Sequence, residues 1–158
     1  MQPQNPIYLT ILAGAMGLKC AYTDDFIELL ELARRSQKYY AKAVRLDPEN
    51  PEIRLNRFYS NINLPYQYYP DYLPKTQEDA ELVILWANEI IEAAKADSSY
   101  TEIAERLLET KNQVLYRLGE YFFKQVKENG PALEYLKRVE PGSTYYNDAQ
   151  NIIKQIPH

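Results

Sequence analysis

Prolines and N-capping residues divide this chain into amphipathic stretches of helical length, and that punctuation constrains the fold more than any other feature. Pro6 can open a first helix over 6–20, in which Gly14 and Gly17 would allow a neighbour to approach closely at some cost in helix propensity. Asp25 and Glu28 stand three apart, as in a capping box. Asp25 precedes and Glu28 interrupts the apolar run Phe26, Ile27, Leu29, Leu30 and Leu32, and the pair predicts a second helix over 24–46. The run from Asp47 to Pro51 stops it. Asn50 then suits an N-cap, and Pro51 suits the first helical position of a third helix over 51–62, where a missing N–H costs nothing. Thr76 and Asp79 predict the cap of a fourth helix over 76–95, with Ala80, Val83, Ala87, Ile90 and Ala94 on one face. Ser99 and Glu102 predict a capping box for a fifth helix over 100–127, striped by Ile103, Leu107, Thr110, Val114, Leu118 and Phe122. Glu128, Asn129 and Gly130 end that helix. Pro131 opens a sixth over 131–139, and Glu140, Pro141 and Gly142 separate it from a seventh over 144–156.

Strand patterns are almost absent, so the expected fold class is all-α, with one domain over 1–158. Seven helices on short turns can group as about three antiparallel pairs plus a C-terminal capping helix. A small helical solenoid needs that number, because one pair cannot bury its own apolar face. The exception to the short turns is Leu64 to Pro74, where three prolines predict irregular chain and Tyr66, Tyr68, Tyr69 and Tyr72 make it unlike an inert linker. It reads either as a partner-binding lid or as a plug over the end of a helix pair.

Charge and residue usage remove several classes of function. A net charge of -4 with Lys and Arg scattered gives no basic stripe for a nucleic acid, and the group Arg34, Arg35, Lys38 and Lys42 reads as a solvated helix face. One cysteine, Cys20, allows neither an internal disulfide nor a thiolate metal cluster. The apolar stretch from Ile7 to Leu18 is shorter than the ~20 residues a bilayer requires, and no Lys or Arg precedes it as in a signal peptide. Lys19 before Cys20 departs from a lipid-attachment motif. The expected compartment is the cytoplasm, or the periplasm and envelope if a leader has been removed.

The stretch from Val114 to Pro141 resembles a tetratricopeptide repeat (TPR). Leu115 takes the large position of the repeat's first helix, Leu118 and Gly119 its Leu-Gly pair, Phe122 its aromatic, and Ala132 the small residue where the second helix crosses. Gly119 and Ala132 lack the bulk that would hold two helices apart. The segment departs from the pattern by an extra residue in the turn, by Leu136 and Val139 in place of an aromatic and a small residue, and by an early Pro141. A second, partial likeness runs from Tyr40 to Pro51, with Tyr40, Ala43 and Pro48 in register. The run from Pro141 to Gln150 is similar to junctions between repeats in bacterial envelope TPR proteins, including the barrel-assembly lipoproteins of the outer membrane.

The resemblance implies a binding protein for a peptide or another protein, with Gln113, Tyr116, Glu120, Phe123 and Lys124 facing a groove. The residues themselves also allow Tyr116 and Phe123 to pack against a neighbouring helix pair. Arg54 and Arg57, three apart on the third helix, could share a face toward a partner's carboxylate or sit on an ordinary surface. Catalysis finds little support. His158 is the only histidine, which removes the usual general base and any imidazole metal site, and no phosphate-binding loop occurs. Pairs such as Glu28 with Glu31, or Glu89 with Glu92, read as solvated helix faces. The chain is therefore expected to be a non-catalytic adaptor without cofactor or metal. The alternative is a structural subunit of a bacterial envelope complex that forms a homodimer through its apolar N-terminal helix.

Overall fold

The computed structural model describes residues 4–20 and 22–157, and all regular structure in them is helical. His158 lies outside the described residues. The chain divides into two compact units, one ending at Leu64 and one beginning at Pro65.

The first unit holds α1 (Pro6–Cys20), α2 (Phe26–Leu46) and α3 (Pro51–Ile62). Asn50 caps α3 as the sequence requires, its side chain accepting from the amides of Glu52 and Ile53, with Pro51 in the first turn. The capping box on α2 is only half formed. Asp25 accepts from the Ile27 and Glu28 amides, so α2 begins at Phe26 and not at 24. The Glu28 carboxylate instead takes Lys19 Nζ at 2.6 Å and Thr23 Oγ1 at 2.8 Å, tying the end of α1 to the start of α2. From Cys20 back to Ala13, the partners on α2 advance from Leu29 to Ser36, whose hydroxyl donates to the Ala13 carbonyl at 2.9 Å. The two helices therefore run antiparallel. Gly14 makes only ordinary contact, 3.7 Å from the Tyr40 hydroxyl to where a Cβ would stand, and Gly17 faces open space. The close approach that these glycines would allow is not used. Leu9, Ala43, Val44 and Ile53 form the core cluster, with Tyr39 packed against it. Fully burying a Leu or Ile side chain stabilises by roughly 1.5–3 kcal/mol.

The second unit begins with the tyrosine segment, and here the structure corrects the sequence reading. Most of Pro65 to Pro74 is not irregular chain. It forms two 3-10 turns, Tyr66–Tyr68 and Pro70–Tyr72, that run directly into α4 (Leu73–Ala96). Pro74 is tolerated because it lies in the first helical turn, where its missing amide has no intrahelical acceptor. Thr76 and Asp79 are consequently not caps. Both lie inside α4 and are buried, and Thr76 Oγ1 donates back to the Tyr72 carbonyl at 2.7 Å. Ala80, Val83 and Ala87 form the buried face with Ile84, while Ile90 and Ala94 are half-buried.

Ser99 does not cap the fifth helix, which has no side-chain cap of its own; Asp97 instead caps the 3-10 turn that leads into it. The Asp97 carboxylate accepts from the Ser99 amide at 2.9 Å across the 3-10 turn Ser98–Tyr100, and that bond holds the carboxyl below its usual range. Helix α5 (Thr101–Tyr121) follows and widens into a π turn over Phe122–Val126. Lys127 ends it in the left-handed conformation, φ 66°. The last helices, α6 (Asn129–Leu136) and α7 (Tyr146–Ile153), are shorter than expected at their C-terminal ends. Tight i to i+3 bonds, such as Arg138 N–H to the Tyr135 carbonyl and Ile156 N–H to the Ile153 carbonyl, finish each as a turn.

Gly119 sets the approach of α5 to α6. A Cβ there would stand 2.6 Å from Leu136 Cγ and 3.2 Å from the Ala132 carbonyl oxygen. A Cβ here would force Leu136 or α6 to shift. Phe122 stacks on Tyr135 at 5.8 Å, and Asn112 reaches Glu140, so α5 and α6 are antiparallel. Arg138 forks onto Glu81 of α4 at 2.8 and 3.1 Å.

Candidate functional site

Positions 105, 109, 112, 116 and 120 of α5 advance by three or four residues, which keeps Glu105, Glu109, Asn112, Tyr116 and Glu120 on one face. At the N-terminal end of this face lies a pocket of about 220 Å³. It is bounded by Glu105, Leu108, Glu109 and Asn112 on one side and by the Glu140–Ser143 turn on the other.

Buried polar groups hold that turn in place. Asn112, almost fully buried, accepts from the Glu140 amide at 2.8 Å and donates to the Leu108 carbonyl at 2.9 Å. Lys111 pairs with the Glu140 carboxylate and donates to Asn88 of α4 at 3.2 Å. Glu109 accepts from the Thr144 amide at 3.1 Å. Gly142 adopts φ 94°, a conformation costly for residues with a Cβ. A buried charge or amide is expensive unless satisfied, so these bonds fix the turn's register against α5.

Toward the other end, the Tyr116 ring stacks on Tyr145 at 5.5 Å, and its hydroxyl donates to Glu120 at 3.0 Å. Glu120 also accepts from Arg117 at 3.2 Å and Lys124 at 2.7 Å. Burial raises the Tyr116 hydroxyl's pKa to about 12, with the Glu120 carboxylate adding to the effect. Burial alone would raise Glu120 as well. The hydrogen bonds from Lys124 and Tyr116 outweigh it and keep the carboxyl below its usual range.

The structure thus joins three of the residues expected at the groove, Tyr116, Glu120 and Lys124, in one hydrogen-bonded chain along the helix. Phe123 is half-buried in the π turn, and Gln113 is half-buried on the flank. The contact of Tyr116 with Tyr145 makes it a packing residue as well as a surface one. The tyrosines of the preceding segment form a separate group. Tyr69 stacks on Tyr72 at 5.6 Å, Lys75 Nζ lies 5.5 Å above the Tyr72 ring, and the Tyr66–Tyr68 turn packs on the Phe122–Val126 turn. Tyr68 is exposed, while Tyr121 is buried and its hydroxyl is pushed up to about 12 by that burial and by Tyr66.

Arg54 and Arg57, in the first unit, do not form an exposed pair. They are 5% and 6% exposed, and Arg54 Nε donates to the Pro48 carbonyl at 2.8 Å, bracing the turn that leads into α3. Their apolar neighbours Ile53 and Phe58 share the buried side of the helix, so the spacing that suggested a common outward face places them inward.

Sequence reasoning missed Lys111, Asn112 and Glu140. One signal was available: Lys111 falls four residues after Leu107 and three before Val114, a polar residue in apolar register. Among the described residues, no three His, Cys, Asp or Glu side chains converge as metal ligands, and no helix is long and apolar enough to cross a membrane. Comparison with known proteins finds no matching family model, curated protein or solved structure.

Proposed function

We propose that this chain is a non-catalytic, TPR-like adaptor that binds a protein or peptide segment along the Glu105–Glu120 face of α5. The carrying observation is the acidic pocket between Glu105, Glu109 and the Glu140–Ser143 turn, with the stacked rings of Tyr116 and Tyr145 farther along the same face. Its volume suits one long basic side chain. A guanidinium or ammonium finds carboxylate acceptors there, and aromatic surface on the same face suits an aliphatic stem or a neighbouring apolar residue. The TPR-like reading of α5 and α6 is supported by the close approach of Gly119 to Ala132, the two small residues that the resemblance places at the helix crossing.

Selection from a random peptide display library tests this reading. Enriched peptides should share an Arg or Lys, and Glu105→Gln with Glu109→Gln should weaken their binding at least about 10-fold, the loss of a charge-assisted contact. The amide oxygen at 109 can still accept from the Thr144 amide, so the turn is retained. Tyr116→Ala with Phe123→Ala should also lower affinity, provided the melting transition persists. Enriched peptides without a basic residue, or affinity indifferent to both changes, would refute the proposal.

A further inference from the structure

Helix α1 is apolar on both sides. One side is used within the unit, where Leu9, Thr10 and Ala13 are buried. The opposite side leaves Ile7, Ile11 and Leu18 40%, 63% and 68% exposed, with Ala15 exposed between them and Tyr8 alongside at 50%. Steps of four and seven residues place Ile7, Ile11 and Leu18 within about 40° of one another around the helix. Beyond the end of α1, Tyr22 and Ile27 are 87% and 77% exposed.

We infer that this face is the contact of a two-fold symmetric homodimer, in which α1 of one copy packs against α1 of the other. Area supports that occupant. At about 150–250 Å² for a large exposed side chain, Ile7, Tyr8, Ile11 and Leu18 offer roughly 400 Å², and Tyr22 and Ile27 beyond the C-terminal end of α1 bring the total to roughly 700 Å². That is close to the ~800 Å² each partner contributes to a stable interface.

Chemistry narrows the choice further. No charged residue lies between Pro6 and Leu18, so the face has no ion-pairing group to offer a charged partner. A second copy presents the same uncharged surface, and an isologous contact requires that self-complementarity. An anionic lipid surface would call for basic residues flanking the helix. The flanking Lys19 is already paired with Glu28 at 2.6 Å, and the whole chain carries -4. This inference is independent of the α5 face, whose residues none of the following variants touches.

Sedimentation equilibrium over a range of protein concentrations tests it. The wild-type chain should fit a monomer–dimer equilibrium, and Ile11→Glu or Leu18→Glu should raise the dissociation constant about 100-fold or more, because each places a carboxylate in the contact twice. Leu85→Glu, at another exposed apolar position, should leave it unchanged. Far-UV circular dichroism reports whether each variant keeps its helices. A wild-type monomer at about 100 μM, a dimer indifferent to both α1 variants, or flotation of the monomer with phosphatidylglycerol vesicles would each overturn the inference.

Discussion

Gly119→Ala separates two opposing effects of comparable size. Replacing an interior helical glycine by alanine ordinarily stabilises by about 1 kcal/mol, because the unfolded chain loses freedom. At position 119 the added methyl would stand 2.6 Å from Leu136 Cγ and 2.9 Å from its Cδ2, against an ordinary carbon contact of about 3.5–4.0 Å. Leu136 is fully buried and cannot swing clear. The Ala132 carbonyl at 3.2 Å is backbone and moves only with α6. Overpacking of this kind costs about 1–3 kcal/mol, and the fixed neighbours place it toward the upper end. The net expectation is destabilisation by about 1–2 kcal/mol.

Trp86, the only tryptophan, lies in α4, so its fluorescence reports on the second unit. With a urea slope of about 1–3 kcal/mol/M, the midpoint should fall by roughly 0.5–1 M. Leu136→Ala removes both clashing carbons and costs about 2–5 kcal/mol through the cavity it leaves. In that background Gly119→Ala should become neutral or stabilising, a coupling of about 1–2 kcal/mol between the two sites. Gly17→Ala in α1, where nothing lies within 4 Å, should show the uncomplicated gain of about 0.5–1 kcal/mol. A stabilised Gly119→Ala, or the same penalty with and without Leu136, would refute the close-approach argument.

Asn50→Ala should lower the stability of the first unit by about 1 kcal/mol through loss of the α3 cap, read by far-UV circular dichroism in urea. Asn112→Ala strips the acceptor from the Glu140 amide and should cost the second unit about 1–3 kcal/mol in the fluorescence transition. For Tyr121 the folded state favours the neutral hydroxyl, moving its pKa from 10.0 to about 12. That contribution is intact below pH 10 and disappears as the pH rises toward 12, a loss of roughly 2–3 kcal/mol. Tyr121→Phe should lessen this alkaline slope, Tyr116 keeping its own share, and an absorbance titration at 295 nm in which every tyrosine ionises near pH 10 while the helices persist would contradict it.

What could be read from the sequence follows the range of the interaction concerned. Asn50 and Pro51 were legible because a cap is settled within three residues, and Gly119 with Ala132 because small residues in apolar register mark a crossing. Thr76 and Asp79 carry an equally good local signal, yet α4 begins three residues before Thr76 and both side chains are buried in it. Tertiary burial overrode the local pattern. Pro74 misled in the opposite sense, since a proline excludes the helix interior but not its first turn. The π turn was invisible because the apolar stripe from Leu107 to Phe122 stops where the widening begins. In the candidate site, Tyr116, Glu120 and Lys124 share a four-residue step that any helix brings together. The anchors of the pocket were not legible, because Lys111 and Asn112 meet Glu140 across 29 and 28 residues of chain.

Two surfaces of different chemistry emerge, and salt acts on them in opposite directions. The α5 face is acidic, and attraction between its carboxylates and a basic side chain is screened once the Debye length falls from about 10 Å at 0.1 M salt to about 3 Å at 1 M. The outward face of α1 has no charge between Pro6 and Leu18 to screen. Its association draws on burial of apolar surface, which sulfate strengthens by exclusion from the protein. Raising sodium sulfate should therefore weaken capture of a basic peptide while tightening self-association. This contrast does not require either partner to be identified in advance. If both equilibria weakened together, the α1 contact would have to depend on charges that the helix does not carry. If both tightened, the pocket between Glu105 and Glu109 would be recognising apolar groups, and the glutamates would be incidental to it.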